Sequence, residues 1–391
     1  MSTSIRRATA ATAIAGHLPT LCVTNVLLVG DYPPPYGGVS TQIAVLRRRL
    51  SGVPGYACRV LDIGASRRLR RPECLPARNA IEFARRLLGH AVGGNIIHLH
   101  TNGHNLKSWL VCFACACSGF FNGRRTVVSI GSGAAPAFVN AARGPARLLM
   151  QAALGLVGVI ICRNEPMRRE LMALGVRPEK ITILPGFYGV STEELPEIPP
   201  GVAAFLQQHS PVAAALAERG PEYGISLLLE AVARLRSRYP TLGLVLIGSG
   251  KADLPGGTGH VLWTGELSHD LVLSAMRKVN VFVRPTHFDG DATSVREALA
   301  LSVPVVASDT DFRPEGVMLF RRGDVDDLMQ KLGQAFARDP AGLAPSSGAD
   351  TGSFQRLLAI YRGLAPAASS QSSDAPGEAL VRGGYHENPR N

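Results

Sequence analysis

The stretch that decides the reading is VNVFVRPTHFDGDATSVREALALSVPVVASD, Val279 to Asp309. Its apolar runs at either end, Val279 to Val283 and Val303 to Ala307, have the length of buried parallel strands, and between them lie a loop and a helix, Ser294 to Leu301. A helix that starts near Thr293 or Ser294 presents four backbone N–H groups without intrahelical partners, so the segment can cradle a phosphate. Thr293 and Ser294 could add hydroxyl donors, and Arg284, Arg296 and Arg313 are nearby candidates to balance a diphosphate. Ser294 followed by Glu297 is also the spacing of a capping box, with a purely structural role, and spacing alone leaves both readings open. Asp289 and Asp291 flank Gly290, where an ordinary surface turn is the alternative.

Outward from this segment the chain alternates strand and helix in two halves. In the second half, strands are expected at Val212 to Ala217, Leu244 to Ile247, His260 to Trp263, Val279 to Val283 and Val303 to Ala307, with a helix over Ser226 to Arg238. In the first, they fall at Asn25 to Val29, Asn95 to Leu99, Thr126 to Ile130, Val157 to Cys162 and Ile181 to Leu184, with helices over Thr41 to Leu50 and Pro166 to Leu174. The class is α/β, with two open, doubly wound sheets and a ligand cleft at the carboxyl ends of their strands. Pro196, Pro199 and Pro200 mark the boundary, giving a leader at 1–22, a first domain at 23–190 and a second at 191–340. A final amphipathic helix is expected at 354–365, and the Ser/Ala/Gly/Pro-rich 366–391 reads as a disordered tail, as does the leader.

Composition narrows the class further. The chain has 391 residues, 46% hydrophobic and 18% charged, which suits two packed domains and not a disordered polymer. Its longest uncharged apolar runs, Trp109 to Phe121 and Leu148 to Cys162, are shorter than the roughly 20 residues of a membrane-spanning helix. Seven cysteines without framework spacing read as free thiols, and Cys112, Cys115 and Cys117 as core residues, with no metal set. Residues 1–190 carry 23 Lys and Arg against 7 Asp and Glu, whereas the remainder carries 18 against 23. Arg67, Arg68, Arg70, Arg71, Arg85 and Arg86 contribute, and no zinc finger, RNP pair or helix-turn-helix accompanies them. The expected partner is therefore an anionic membrane face or phosphorylated lipid and not nucleic acid, although an Arg-rich composition alone is the plainer alternative.

Asp289, seven residues, Glu297-Ala298 and then Pro304-Val305-Val306-Ala307-Ser308 resembles the signature of the retaining family-four glycosyltransferases, the group 1 polysaccharide-type enzymes of GT-B fold. The family more often has Glu at the first position. The resemblance implies that Asp289 reaches donor sugar hydroxyls, that Glu297 holds the nucleotide ribose and that Gly290, Ala292, Thr293 and Ser294 line the phosphates. It extends to Gly37 and Gly38 as a first glycine loop, to Gly248 and Gly250 as a turn near the nucleotide, and to Leu267 in the segment that reads the base. His98 and His100 end the third strand as the family's histidines do, which implies a catalytic His100 and an acceptor-side His98. Read alone, the pair could also be a metal pair, or one core and one surface residue.

Two departures stand out. Gly131, followed by Ser132 on the acceptor side, occupies the place of a common family histidine. Glu218 and Tyr223-Gly224 fall where an Arg and a Lys-Gly usually grip the diphosphate, with Arg219 adjacent; Arg284, Arg296 and Arg313 are then expected to meet that charge.

The resemblance implies a cytoplasmic enzyme, peripheral on the inner face of the plasma membrane, that moves a sugar from a UDP-sugar, or next a GDP-sugar, to a polysaccharide or lipid-linked precursor. It would use no metal and no resident cofactor, the nucleotide sugar being a co-substrate. A GT-B epimerase and a catalytically silent nucleotide-sugar-binding subunit are the alternatives.

Overall fold

The computed structural model describes residues 23–186, 189–190, 195–218, 220–248, 259–310, 312–338 and 352–365. The leader, the tail, Arg219 and Gly250 therefore lie outside the described residues.

The first half runs β1 (Thr24–Gly30), α1 (Gly38–Ser51), β2 (Tyr56–Asp62), β3 (Cys74–Pro76), α2 (Ala80–Val92), β4 (Ile96–Thr101), α3 (Leu106–Phe120), β5 (Thr126–Ile130), α4 (Ala135–Ala141), α5 (Gly144–Leu156), β6 (Val159–Cys162), α6 (Glu165–Ala173) and β7 (Ile181–Ile183). The second runs α7 (Pro200–Gln208), β8 (Val212–Leu216), α8 (Ile225–Leu235), β9 (Gly243–Ile247), β10 (Val261–Gly265), α9 (His269–Met276), β11 (Val281–Arg284), α10 (Thr293–Ala300), β12 (Val305–Ser308), β13 (Met318–Phe320) and α11 (Val325–Phe336). A last helix, α12 (Ser353–Leu364), follows.

The strands form two parallel sheets, ordered β3-β2-β1-β4-β5-β6-β7 and β10-β9-β8-β11-β12-β13. Both are covered on both faces, which is why their central strands read as unbroken apolar runs. In each sheet the order reverses beside the first strand, at β1 and β4 or at β8 and β11. Such switch points open a crevice beyond the carboxyl ends of the strands, and the two crevices face each other here.

The last helix does not stay with the second sheet. Phe354, Leu357, Leu358 and Tyr361 of α12 pack with Val26, Leu28, Ile96 and Val127 on the first, so the chain returns across the molecule. Cys112 and Cys115 are buried in the core on the opposite face of that sheet. No helix among the described residues is long and apolar enough to cross a membrane.

Candidate active site

The loops that leave the carboxyl ends of both sheets enclose a cavity of about 690 Å³, within the size range of small-molecule sites. From the first sheet, Gly37, Gly38 and Gln42 come from the start of α1, and Gly131 and Ser132 from the loop after β5. From the second come Glu218 and Tyr223 after β8, Gly248 after β9, Leu267 and His269 after β10, and Arg284 to Glu297 around α10.

The loops meet across this cleft. A Cβ built on Gly133 would sit 2.6 Å from the Asp289 carbonyl carbon, and one on Gly290 would sit 3.0 Å from the Gly133 nitrogen, so only glycine allows this approach. Asn164 donates through Nδ2 to the Gly290 carbonyl at 2.7 Å, Gln42 donates through Nε2 to Thr293 Oγ1 at 3.0 Å, and Arg163 donates to Gln42 Oε1. Arg48 on α1 forms a two-pronged bridge to Asp270 on α9, at 2.9 and 3.0 Å. Gly38 differs from the packed glycines. A Cβ there would meet nothing within 4 Å, so the missing side chain leaves open room in the cleft wall.

The α10 terminus does not form the capping box that its spacing allows. The helix begins at Thr293 with Ala292 as its cap, and no side chain caps it. Ser294 is thus inside the first turn, not ahead of it. Glu297 is turned toward His269, whose Nε2 lies 2.7 Å from its Oε1, and both side chains are largely buried, at 15% and 7% exposure. Ala292, Thr293 and Ser294 all line the cavity, with an uncapped helix terminus behind them.

Asp289 is not a turn ornament either. Its Oδ2 accepts hydrogen bonds from Arg284 Nε at 3.0 Å, Arg313 Nη1 at 2.7 Å and Thr286 Oγ1 at 3.2 Å. Burial pushes its pKa up, but the two guanidiniums overcome this and hold the carboxyl below the ordinary aspartate range.

This arrangement corrects the expected diphosphate grip. Arg313 is buried, bonded to Asp289, to the Ser308 carbonyl at 3.0 Å and to Thr286, and it does not line the cavity. Arg296 is likewise drawn inward, with Nε at 2.8 and 3.0 Å from the fully buried carboxylate of Asp291. The loop buries two aspartates, and each must have a cation. Arg284 alone of the three faces the cavity, its Nε already committed to Asp289. Tyr223 donates its hydroxyl to Glu218 Oε2 at 2.8 Å, and burial followed by the Glu218 charge raises its pKa. Among the described lining residues, Arg284 stands against Asp31, Glu218, Glu222, Glu266, Asp289, Asp291 and Glu297.

His98 and His100 are also corrected. Alternation along β4 points both to the face covered by α1 and α12, where they are buried and do not line the cavity. His98 bonds to Tyr361 Oη at 2.5 Å through Nδ1 and to Ser129 Oγ at 2.8 Å through Nε2, and burial pushes its pKa down to about 3. His100 finds no hydrogen-bond partner among the described residues, and burial keeps its ring neutral. Neither is placed to touch a substrate in the cleft.

Sequence reading missed His269, Gln42 and Asn164. Only His269 carried a signal, two residues after the Leu267 segment; the other two lie inside helix-start patterns that look ordinary.

Residues 211–338 match the model of the family described as glycosyl transferases group 1. A phosphatidyl-myo-inositol mannosyltransferase of Mycobacterium tuberculosis is 34% identical over 116 residues, 28% of this chain and 30% of the relative. The chain thus aligns with under a third of that relative's length. Among solved structures, Anabaena Alr3699/HepE in complex with UDP superposes with a TM-score of 0.60 at 14% identity, covering 87% of this chain and 98% of that one. A putative UDP-N-acetylglucosamine 2-epimerase from Listeria monocytogenes superposes at 0.56 with 15% identity, covering 87% and 96%. These identities establish the fold alone. The chain has the two-Rossmann GT-B fold, and it resembles the group 1 glycosyltransferases, whose family model its second sheet domain matches.

Proposed function

We propose that the protein is a retaining glycosyltransferase that moves a sugar from a nucleotide-diphosphate donor, UDP in preference to GDP, to a polysaccharide or lipid-linked oligosaccharide precursor. The observation that carries this reading is the uncapped α10 terminus beside Glu297, facing the open Gly38 wall across one cleft. The relatives' printed names, a mannosyltransferase of a phosphatidylinositol and a UDP-bound protein, support the donor and acceptor classes. In this account Ala292, Thr293 and Ser294 receive the diphosphate, Glu297 holds the ribose, Leu267 and Gly248 flank the base, and Asp289 offers its second oxygen to the sugar. Helix N–H groups aimed at the leaving diphosphate stabilise charge as it develops, without a metal.

The acceptor side is proposed to rest on an anionic membrane. Ile81, Leu88 and Val92 of α2, Leu106, Leu110 and Phe120 of α3, Phe121 and Leu148 of α5 are exposed, and α3 packs against both neighbouring helices. Glu82 is the only acid in these three helices, whereas Arg85, Arg86, Lys107 and Arg147 lie on them. Exposed apolar side chains mixed with cations suit the interface of an anionic bilayer. In the Arg67 to Arg71 run, Arg68 and Arg70 are free to contribute, while Arg71 stacks over Tyr32 and Arg67 bonds to the Gly64 carbonyl.

The test is a transfer assay with UDP- and GDP-sugars and lipid-diphosphate acceptors, with the product's anomeric configuration read by NMR. A retained anomer formed in EDTA is expected; an inverted anomer, or activity restored only by Mg²⁺ or Mn²⁺, contradicts the mechanism. Interconversion of the nucleotide sugar without acceptor identifies an epimerase. The Glu218–Tyr223 pair and Gly131, where cations and a histidine were expected, favour a second reading, a silent donor-binding subunit, which binds nucleotide sugar and turns over nothing.

A further inference from the structure

We propose that His269 is the positioning residue that fixes Glu297 for the nucleotide ribose, and that protonation of its ring tightens donor binding. The inference rests on the reading that this cleft holds a nucleotide sugar.

The geometry is that of a relay between the lobes. His269 opens α9, two residues after Leu267, so one short segment both flanks the base and holds the proposed ribose acid. Its Nε2 occupies Glu297 Oε1 at 2.7 Å, which leaves Oε2 for ribose hydroxyls. Its Nδ1 lies 3.9 Å from Asp270 Oδ1, and Asp270 is held from across the cleft by Arg48 of α1. The charged groups that face the ring are therefore Glu297 on α10, Asp270 on its own helix and Arg48 on α1.

Burial alone would lower the imidazole pKa, but the Glu297 charge and hydrogen bond, with Asp270, more than offset it and the net direction is upward; Arg48 opposes. The sign follows directly. Below the raised pKa the ring is a cation that donates a charge-assisted bond to Glu297 and sits as a positive charge in a cleft lined by seven acids and, of the arginines, Arg284. As pH rises through it, the ring becomes neutral, the bond weakens and Glu297 is left less well fixed. Donor affinity should therefore fall on the alkaline side.

The experiment is calorimetric titration of UDP and GDP across about pH 5.5 to 9, the range a perturbed histidine spans, on wild type, His269→Gln, His269→Ala, Asp270→Asn and Arg48→Ala. Wild-type affinity is expected to drop about fivefold over that range, the difference between a charged and a neutral hydrogen bond. His269→Gln keeps a neutral donor to Glu297 and should lose the drop, and His269→Ala should bind weakly at every pH. Asp270→Asn should move the midpoint down and Arg48→Ala should move it up, shifts that a merely structural histidine does not produce. The nucleotide's own titration is common to all the proteins and cancels in the ratio to His269→Gln. Binding that is flat with pH in wild type, or an unchanged drop in His269→Gln, overturns this inference alone. No nucleotide binding at any pH overturns the donor-site reading and this inference with it.

Discussion

The arginines of the α2, α3 and α5 face and those around α10 share a chemistry and have opposite fates. Arg85 stands exposed and Arg147 half-buried among apolar side chains, on helices whose only acid is Glu82. Arg296, in the first turn of α10, and Arg313, which returns from beyond β12, are turned inward to Asp291 and Asp289. A buried carboxylate demands a local cation more strongly than a solvated ligand does, so proximity to a helix N-terminus does not make an arginine available to an anion there. Of the surface cations, Arg86 pairs with Glu82 and Arg147 bonds to the Ala173 carbonyl, while Arg85 points to solvent; the cleft cations hold a loop.

The sharpest way to break this contrast is to remove the anion. Asp289→Ala leaves Arg284 and Arg313 buried without their shared carboxylate and should cost about 3–5 kcal/mol in denaturant unfolding, the usual loss when one partner of a buried pair is deleted. The same site sets a pH dependence. Because the folded Asp289 pKa is depressed from 3.8, its contribution is present above that value and is lost as pH falls through the folded pKa. Asp289→Asn should therefore flatten the acid limb of the stability profile, and an unchanged limb would mean the carboxylate is not held as described.

Closure offers a second test. Gly133→Ala puts a methyl within 2.6 Å of the Asp289 backbone, so the lobes should sit further apart, with a larger radius of gyration in X-ray scattering and weaker nucleotide binding by about tenfold, roughly 1.4 kcal/mol of strain. An unchanged radius would show that the loops do not meet in solution.

How much of this was legible in the sequence follows the same division. Strands β1, β4, β5, β8, β9, β11 and β12 announced themselves because both faces are covered and the runs are continuous. β2 did not, since its first residues alternate between half-buried and exposed, and the three-residue β3 and β13 also went unread, although the equally short β7 was expected. The Asp289 to Glu297 spacing located the cleft because it depends on one helix and its loop. The partners of that loop were hidden, because they are set by where Arg313 returns from beyond β12, and by where Gln42 and Asn164 arrive from the other sheet. His98 and His100 were misplaced for a related reason. Their common face could be read from alternation, but one of the two helices that bury it, α12, is distant in sequence, with Tyr361 263 residues from His98.

The surface half of the comparison predicts smaller effects. Binding to anionic liposomes should weaken as salt shortens the Debye length from about 10 Å at 0.1 M to about 3 Å at 1 M, and Phe121→Asp with Leu110→Asp should reduce it further by removing exposed apolar anchors. Salt-insensitive binding would contradict the electrostatic part, and no binding at low salt would leave an Arg-rich composition as the explanation of the charge. Smallest of all, Arg85→Ala should change folding stability by no more than about 0.5 kcal/mol, as for other exposed positions.

The central claim, that the cleft at α10 binds a nucleotide sugar through Glu297, is tested most directly by a thermal-shift panel of UDP, GDP and their common sugar conjugates on wild type and Glu297→Ala. The account predicts selective stabilisation by one nucleotide, lost in the variant, because a ligand that binds only the folded state raises its stability. No shift with any nucleotide in folded wild type, or an equal shift in Glu297→Ala, would contradict it.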